Sequence, residues 1–395
     1  MNLLHIIDTL SPVTGGPPEA VRQLVNAYVA IGGDVEIVTL DNSAEAFLRD
    51  VPCPLHTLDQ TYFGRYAFSP RLWNWLLENA ERFDGMIMNG VWSFPGVALR
   101  HAALKVGKPY GIFPHGALDP WFNRQYPLKH LKKRLYWPMQ QAVLRDASAV
   151  FFTTEVERDL ASSSFRSANW NSIVVPYGIT DPMANLSQSD SLLEEFYLAL
   201  PSLRGRHFLL FLARIHAKKG CDLLVEAFAK LAPLAPDVDL VMAGPDQEGL
   251  EARLKSLTER LGIAKRVHWP GLIGGKVKWG ALIACDAFVL PSHQENFGIS
   301  VVEALSVGRP VLISNQVNIW PEIVAHGVGL VEHDTLEGTD RLLRRWFDLS
   351  PSGREAMAAR ARPCFLVRFE MNHTAAIIRD FFSSIKNGKN VERKA

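Results

Sequence analysis

Short apolar runs alternate with longer stretches in which apolar residues recur at helical spacing, and this alternation runs through most of the chain. Val35–Leu40, Gly85–Met88, Tyr110–Phe113 and Ala149–Phe152 read as buried strands, each followed by a segment of helical period such as Glu19–Ala30 or Leu128–Leu144. Strand, helix, strand in that order predicts a mostly parallel sheet. Around Pro176–Ser191 the pattern gives way to Pro, Gly, Asp, Asn and Ser, a composition suited to a connection. It restarts with His207–Ala213, a helix near Lys219–Leu231, Asp239–Ala243 and a helix at Leu250–Leu261. Val267–Trp269, Ala287–Leu290, Pro310–Ile313 and Gly329–Val331 continue the series. Thr374–Ile385, apolar at helical spacing after the last strand, must dock on some surface, and Lys386–Ala395 reads as a frayed, Lys-rich tail. The expected fold is α/β, with doubly wound parallel-sheet domains at 1–182 and 183–372. A C-terminal helix and tail at 373–395 follow, the helix packing back on the N-terminal domain. Open α/β sheets bind ligands at the C-terminal edges of their strands, so two such domains are expected to face each other across a ligand cleft.

The length agrees with this division, because 395 residues exceed one ordinary core and suit two domains of about 150–200 residues each. Hydrophobic residues at 48% and charged residues at 21% argue against wholesale disorder. The 42 Lys+Arg nearly cancel 41 Asp+Glu, giving +1, so no whole-molecule field draws the chain to nucleic acid and any anion site must be local. Cys53, Cys221, Cys285 and Cys364 form no CxxC pair, which argues against zinc clusters and a disulfide framework and fits a reducing cytoplasm. The opening MNLLHIIDTL meets Asp8 too early for a signal peptide, and no run of about 18 apolar residues follows to span a bilayer. One local exception to the charge balance is Leu128–Trp137, LKHLKKRLYW. Here Lys129, Lys132, Lys133 and Arg134, with Trp137 near an interface, suit anionic headgroups or a pyrophosphate-linked acceptor, so peripheral contact with the inner face of the cytoplasmic membrane is expected.

Candidate chemistry concentrates in Pro291–Ser314, PSHQENFGISVVEALSVGRPVLIS. A strand ending at Leu290 enters a loop holding Glu295 and Asn296, then Phe297-Gly298 starts a helix that contains Glu303. Backbone N–H groups from Gly298 through Ile299 to Ser300 would face an anion, while Glu295 and Glu303 accept hydrogen bonds from vicinal hydroxyls on either side of it. A phosphate flanked by two polyols is a nucleotide sugar. In Phe211–Gly220, FLARIHAKKG, a strand runs into a loop carrying Arg214 and Lys219 at another helix start, an arrangement suited to a diphosphate. His115, in YGIFPHGALDPW, follows a strand of the first domain, with Asp119 near enough to orient it. Gly15-Gly16 follows the first strand, where glycines let the backbone approach a ligand, and Pro17-Pro18 stiffens the same loop.

These motifs resemble the retaining glycosyltransferases of family 4, which have the GT-B fold of two Rossmann-like domains. The family signature is a pair of glutamates separated by seven residues with Phe-Gly between them and an Ala-Leu/Met-x-x-Gly-x-Pro-Val ending, which Glu295–Val311 matches throughout. The resemblance implies that Glu295 holds the donor sugar, Glu303 the ribose, and Arg214 and Lys219 the diphosphate, although Ala213 replaces the family's usual Gly. It further implies His115 against the sugar hydroxyls and Gly15-Gly16 near phosphate and acceptor. Gly244, in AGPD, falls near the nucleotide pocket, and Gly271 and Leu272, in HWPGL, against the base. The implied activity is metal-independent transfer from a UDP- or GDP-linked sugar, with retention, to a glycan or lipid-linked glycan in exopolysaccharide or lipopolysaccharide synthesis. No cofactor or metal is expected.

Alternatives on the same fold are a nucleotide-sugar epimerase and a non-catalytic nucleotide-sugar-binding subunit. A nicotinamide dehydrogenase is disfavoured because no GxGxxG fingerprint is present. Asp237-Val-Asp239 mimics a metal-binding Asp-x-Asp, but it precedes a buried strand and a hard cation needs several oxygen ligands.

Overall fold

The computed structural model of the chain describes residues 1–59, 61–62, 64–121, 127–164, 169–184, 189–246 and 248–388. Residues 185–188 of the expected connection and 389–395 of the expected tail lie outside the described residues. The chain forms two compact units, one comprising Met1–Thr180 and the chain from Glu370 onward, the other Asp181–Phe369.

In the first unit the strands are β1 (Asn2–Ile7), β2 (Asp34–Thr39), β3 (Leu55–Thr57), β4 (Gly85–Asn89), β5 (Tyr110–Phe113), β6 (Ala149–Phe152) and β7 (Ser172–Val174). All pair parallel in the order β3-β2-β1-β4-β5-β6-β7. The second unit has β8 (His207–Leu212), β9 (Val238–Ala243), β10 (Val267–Gly271), β11 (Ala287–Leu290), β12 (Val311–Ser314) and β13 (Gly329–Glu332), parallel in the order β10-β9-β8-β11-β12-β13. The inner strands are buried along nearly their whole length, because crossover helices cover both faces of a parallel sheet. Each strand order reverses once, between β1 and β4 and between β8 and β11, and such switch points are where doubly wound sheets receive ligands.

The expected strands lie within one or two residues of the observed ones. β3 and β7 escaped the pattern because three residues on an edge strand, none of them fully buried, carry no readable period. The second-unit helix starts at Cys221 rather than Lys219, since Ala217–Lys219 forms a 3-10 turn and Gly220 takes the left-handed conformation. Lys386, expected in the frayed tail, instead ends the helix Met371–Lys386 and pairs with Asp84 at 2.8 Å. That helix lies on the first unit: Met371 N–H donates to the Ile179 carbonyl at 3.1 Å, and Phe381 meets Phe151 edge-on at 5.3 Å. Gly85 is the residue that admits it, because a Cβ there would run into the Phe382 ring.

Candidate functional site

Two loops at the switch point of the second sheet assemble the first part of the site. After β8, Ala213 N–H donates to the Ala243 carbonyl at 3.1 Å and Ile215 N–H to the Pro245 carbonyl at 3.0 Å, which holds the Arg214 loop beside the end of β9. Gly244 permits this approach, since a Cβ there would overlap the Ala213 carbonyl. Gly220 performs the same service toward β11, where a side chain would strike the Pro291 carbonyl, and the Lys218 carbonyl accepts from His293 N–H at 2.8 Å. The loop after β11 is anchored in turn, with Glu295 N–H donating to Gln316 and Asn318 N–H to the Glu295 carbonyl at 3.0 Å.

This packing brings the Lys219 ammonium onto the Glu295 carboxylate as a largely buried ion pair. Burial alone would raise the Glu295 pKa, but the positive charges of Lys219, Lys218 and Arg214 outweigh it and hold the carboxyl below its ordinary value. Lys219 is thus paired with the acid, and the charges of Lys218 and Arg214 act on it in the same sense. Immediately beyond, Gly298 caps the helix Ile299–Ser306 in the left-handed conformation, φ +80°, so the Ile299 and Ser300 N–H groups begin a helix without carbonyl partners in it. Glu303, on the next turn, pairs with Lys278 at 2.8 Å.

The remaining expected donor residues divide by environment. Gly244 and Gly271 are neighbours, joined by a 2.8 Å bond from Gly244 N–H to the Gly271 carbonyl; Gly271 faces open space and Leu272 is exposed beside it. The Asn296 amide oxygen lies 3.5 Å from the Asn318 amide. The Phe297 ring is buried edge-on against Phe369 at 6.1 Å, so its side chain packs within the unit and any donor contact falls to its backbone. Asp246 of the AGPD turn caps the next helix, accepting from Leu250 and Glu251 N–H. Asp239 is bracketed by Arg206 at 2.7 Å and His268 at 2.9 Å, which assigns it to holding the sheet edge.

His115, Gly15 and Gly16 belong to the first unit. Gly15 has φ +106° and caps the helix Gly16–Ala30, whose start accommodates Pro17 and Pro18. His115 occupies a left-handed conformation, φ +49°, that costs energy for a residue with a side chain. Its ring is fixed by Asn89, the last residue of β4. The Asn89 amide nitrogen donates to the Ile6 carbonyl at 3.3 Å and faces His5 Nδ1 at 3.1 Å, so its oxygen must receive His115 Nε2–H, at 3.3 Å. That bond leaves His115 Nδ1 as an acceptor, and burial lowers the ring's pKa to about 4, keeping it neutral. Asn89 orients His115, while the Asp119 carboxylate receives Trp121 N–H at 2.7 Å and closes its own turn. Asn89, Lys218 and Lys278 were not anticipated; an Asn closing the otherwise apolar GMIMN strand was the readable signal for the first.

Among the described residues no group of three or more His, Cys, Asp or Glu is arranged to hold a metal ion, and no helix is long and apolar enough to cross a membrane. The family description "Glycosyl transferases group 1" matches residues 199–362, and "Glycosyl transferase 4-like domain" matches residues 15–178. A D-inositol 3-phosphate glycosyltransferase of Actinosynnema mirum is 31% identical over 232 residues, 56% of this chain and 54% of that relative's length. The lipopolysaccharide core biosynthesis mannosyltransferase LpsB of Rhizobium meliloti is 32% identical over 117 residues, covering 29% of this chain and 32% of that one. The crystal structure of Anabaena HepE with UDP and glucose superimposes with a TM-score of 0.77 at 18% identity, over 97% of this chain and 100% of that one.

Proposed function

Because the chain belongs to the GT-B glycosyltransferases of the family 4-like kind, we propose that it transfers a sugar from a UDP- or GDP-linked donor to an acceptor hydroxyl with retention of configuration. The observation that carries this reading is the largely buried Lys219–Glu295 ion pair beside the Ile299–Ser306 helix start, with the charges of Lys218 and Arg214 also acting on that acid. Cations at a helix N-terminus suit a diphosphate, and their charge stabilises it most as the bond from the anomeric carbon to phosphate oxygen breaks. The acceptor oxygen bonds to the same face of that carbon, and the acceptor proton passes to the departing phosphate. Arg214 and Lys219 supply the countercharge, so no metal enters the scheme. Glu295 then accepts from sugar hydroxyls and Glu303 from the ribose. In the first unit, the His115 Nδ1 acceptor and the Gly15-Gly16 loop, both following strands near the β1/β4 switch point, are this unit's contributions to substrate binding.

The acceptor is a glycan or lipid-linked glycan of surface polysaccharide synthesis, met from the cytoplasmic side. The chemistry of the Pro127–Asp146 helix described below supports a membrane-presented acceptor. The test is thermal denaturation with UDP, GDP, ADP and their sugar conjugates. A ligand that binds only the folded protein adds about 2.7 kcal/mol at 100-fold its Kd, so one base is expected to give a shift that Arg214→Ala abolishes. Absence of any nucleotide effect, or conversion of a donor to its epimer without acceptor, overturns the proposal.

A further inference from the structure

Lys278 lies outside both sequence motifs, yet it is placed as tightly as their members. Its Nζ sits 2.8 Å from Glu303 Oε1 and 4.4 Å from the centre of the Trp279 ring, between a carboxylate and an aromatic face. It stands in the first turns of the helix Gly275–Ala284, which leaves β10 just past Gly271 and Leu272. That helix is seated by Gly280, where a Cβ would overlap the Leu192 carbonyl of the packed helix Ser189–Ala199. The Lys278 stem therefore starts from a fixed backbone. By contrast Lys276, on the same helix, extends into solvent and reaches Glu195 at 3.3 Å between exposed side chains.

Pinning a lysine costs side-chain entropy, which a solvated surface pair recovers poorly. The Lys278–Glu303 pair is mostly sheltered, and what it achieves is the orientation of the acid: a glutamate alone on a helix samples several rotamers, whereas one tied to a clamped ammonium is held to one. We infer that Lys278 is a positioning residue that aims the Glu303 carboxylate at the vicinal hydroxyls of the nucleotide ribose. This rests on the reading of Glu303 given above and adds to it the residue that makes the acid selective. A site built to hydrogen-bond a hydroxyl rejects ligands that lack it, because its polar group is then left without a partner. Lys278 accordingly gives the protein its preference for ribonucleotides over 2′-deoxyribonucleotides.

The test is calorimetric binding of whichever of UDP, GDP and ADP binds most tightly, compared with its 2′-deoxy counterpart, to the full chain and to Lys278→Met and Lys278→Arg. The unaltered protein is expected to favour the ribonucleotide by about tenfold or more, the worth of a hydrogen bond to a charged acceptor. Lys278→Met is expected to bind the ribonucleotide about tenfold more weakly while the deoxy form, which keeps one of the two hydroxyls, weakens by a smaller factor, and Lys278→Arg to restore most of the discrimination. A merely structural role would weaken both ligands together. Equal weakening, undiminished discrimination in Lys278→Met, or no discrimination in the unaltered protein overturns the inference. Failure of all three nucleotides to bind overturns the donor-site reading on which it rests.

Discussion

His5 and His115 meet the two sides of one amide, and their burial has a measurable consequence. Burial lowers His5 to about 3, with the His115 charge adding to the shift, and lowers His115 to about 4, both from 6.5. As pH falls from 6.5 toward 4 the unfolded chain binds protons that these folded rings refuse. Each histidine therefore subtracts up to about 1.4 kcal/mol of stability per pH unit in that window, and the loss levels off below the folded pKa. Asp8 acts in the opposite sense, since burial raises it to about 6 from 3.8 and the folded state then favours the protonated form. In urea denaturation, the stability difference between the protein and His115→Gln is expected to shrink as pH drops from 6.5 toward 4. A difference independent of pH would show that the His115 ring is not held neutral. The candidate site was legible wherever chemistry followed from local order: Arg214, Lys219, Glu295 and Glu303 all lie in strand–loop–helix stretches whose charges stand out. Asn89, Lys278 and the inward turn of Phe297 were hidden because their partners lie 26, 25 and 72 positions away.

At the scale of elements, the parallel strands were readable because two-faced burial leaves continuous apolar runs, and the helix Pro127–Asp146 was readable by its period. Which face that helix turns outward was not. Leu128, Leu131, Leu135 and Tyr136 are 80, 59, 79 and 53% exposed, whereas Val143 and Leu144 enter the core. Trp137, expected at an interface, instead packs against the core beside Trp92 at 6.0 Å, and Lys133 lies over the Trp92 ring. The side chains of Lys129 and Lys132 are outside those described. Between Asp119 and Asp146 the sequence holds no acid, so the charged residues that the helix itself sets among its exposed apolar ones are cationic until its last residue. An apolar strip with a basic surround suits an anionic bilayer surface. The protein is expected to sediment with phosphatidylglycerol vesicles and not with phosphatidylcholine ones. Leu131→Ser with Leu135→Ser should abolish binding, and Arg134→Glu should weaken it, with salt acting in the same direction. Equal binding to both vesicle types, or none to either, would remove the membrane from the proposed function.

Across the whole molecule, the chain completes the first unit only at its end. Met1–Thr180 supplies the sheet, and the residues from Glu370 supply the helix that covers part of it, whereas Asp181–Phe369 forms its unit without interruption. Met371, Ala375, Ile378, Phe381 and Phe382 are buried along that helix, and Gly85 leaves the space that Phe382 fills. Each large apolar side chain so buried contributes about 1.5–3 kcal/mol, and several together rival the roughly 5–15 kcal/mol by which a domain is stable. Ending the chain at Phe369 is therefore expected to unfold the first unit while sparing the second. Because Arg214, Lys219, Lys278, Glu295 and Glu303 all lie in the second unit, the shortened chain should keep a cooperative calorimetric transition that the cognate nucleotide still raises. The transition of the first unit should vanish. Survival of both transitions would mean that the C-terminal helix adds little to the first unit. Loss of both would mean that the second unit depends on the first, despite containing Arg214, Lys219, Glu295 and Glu303.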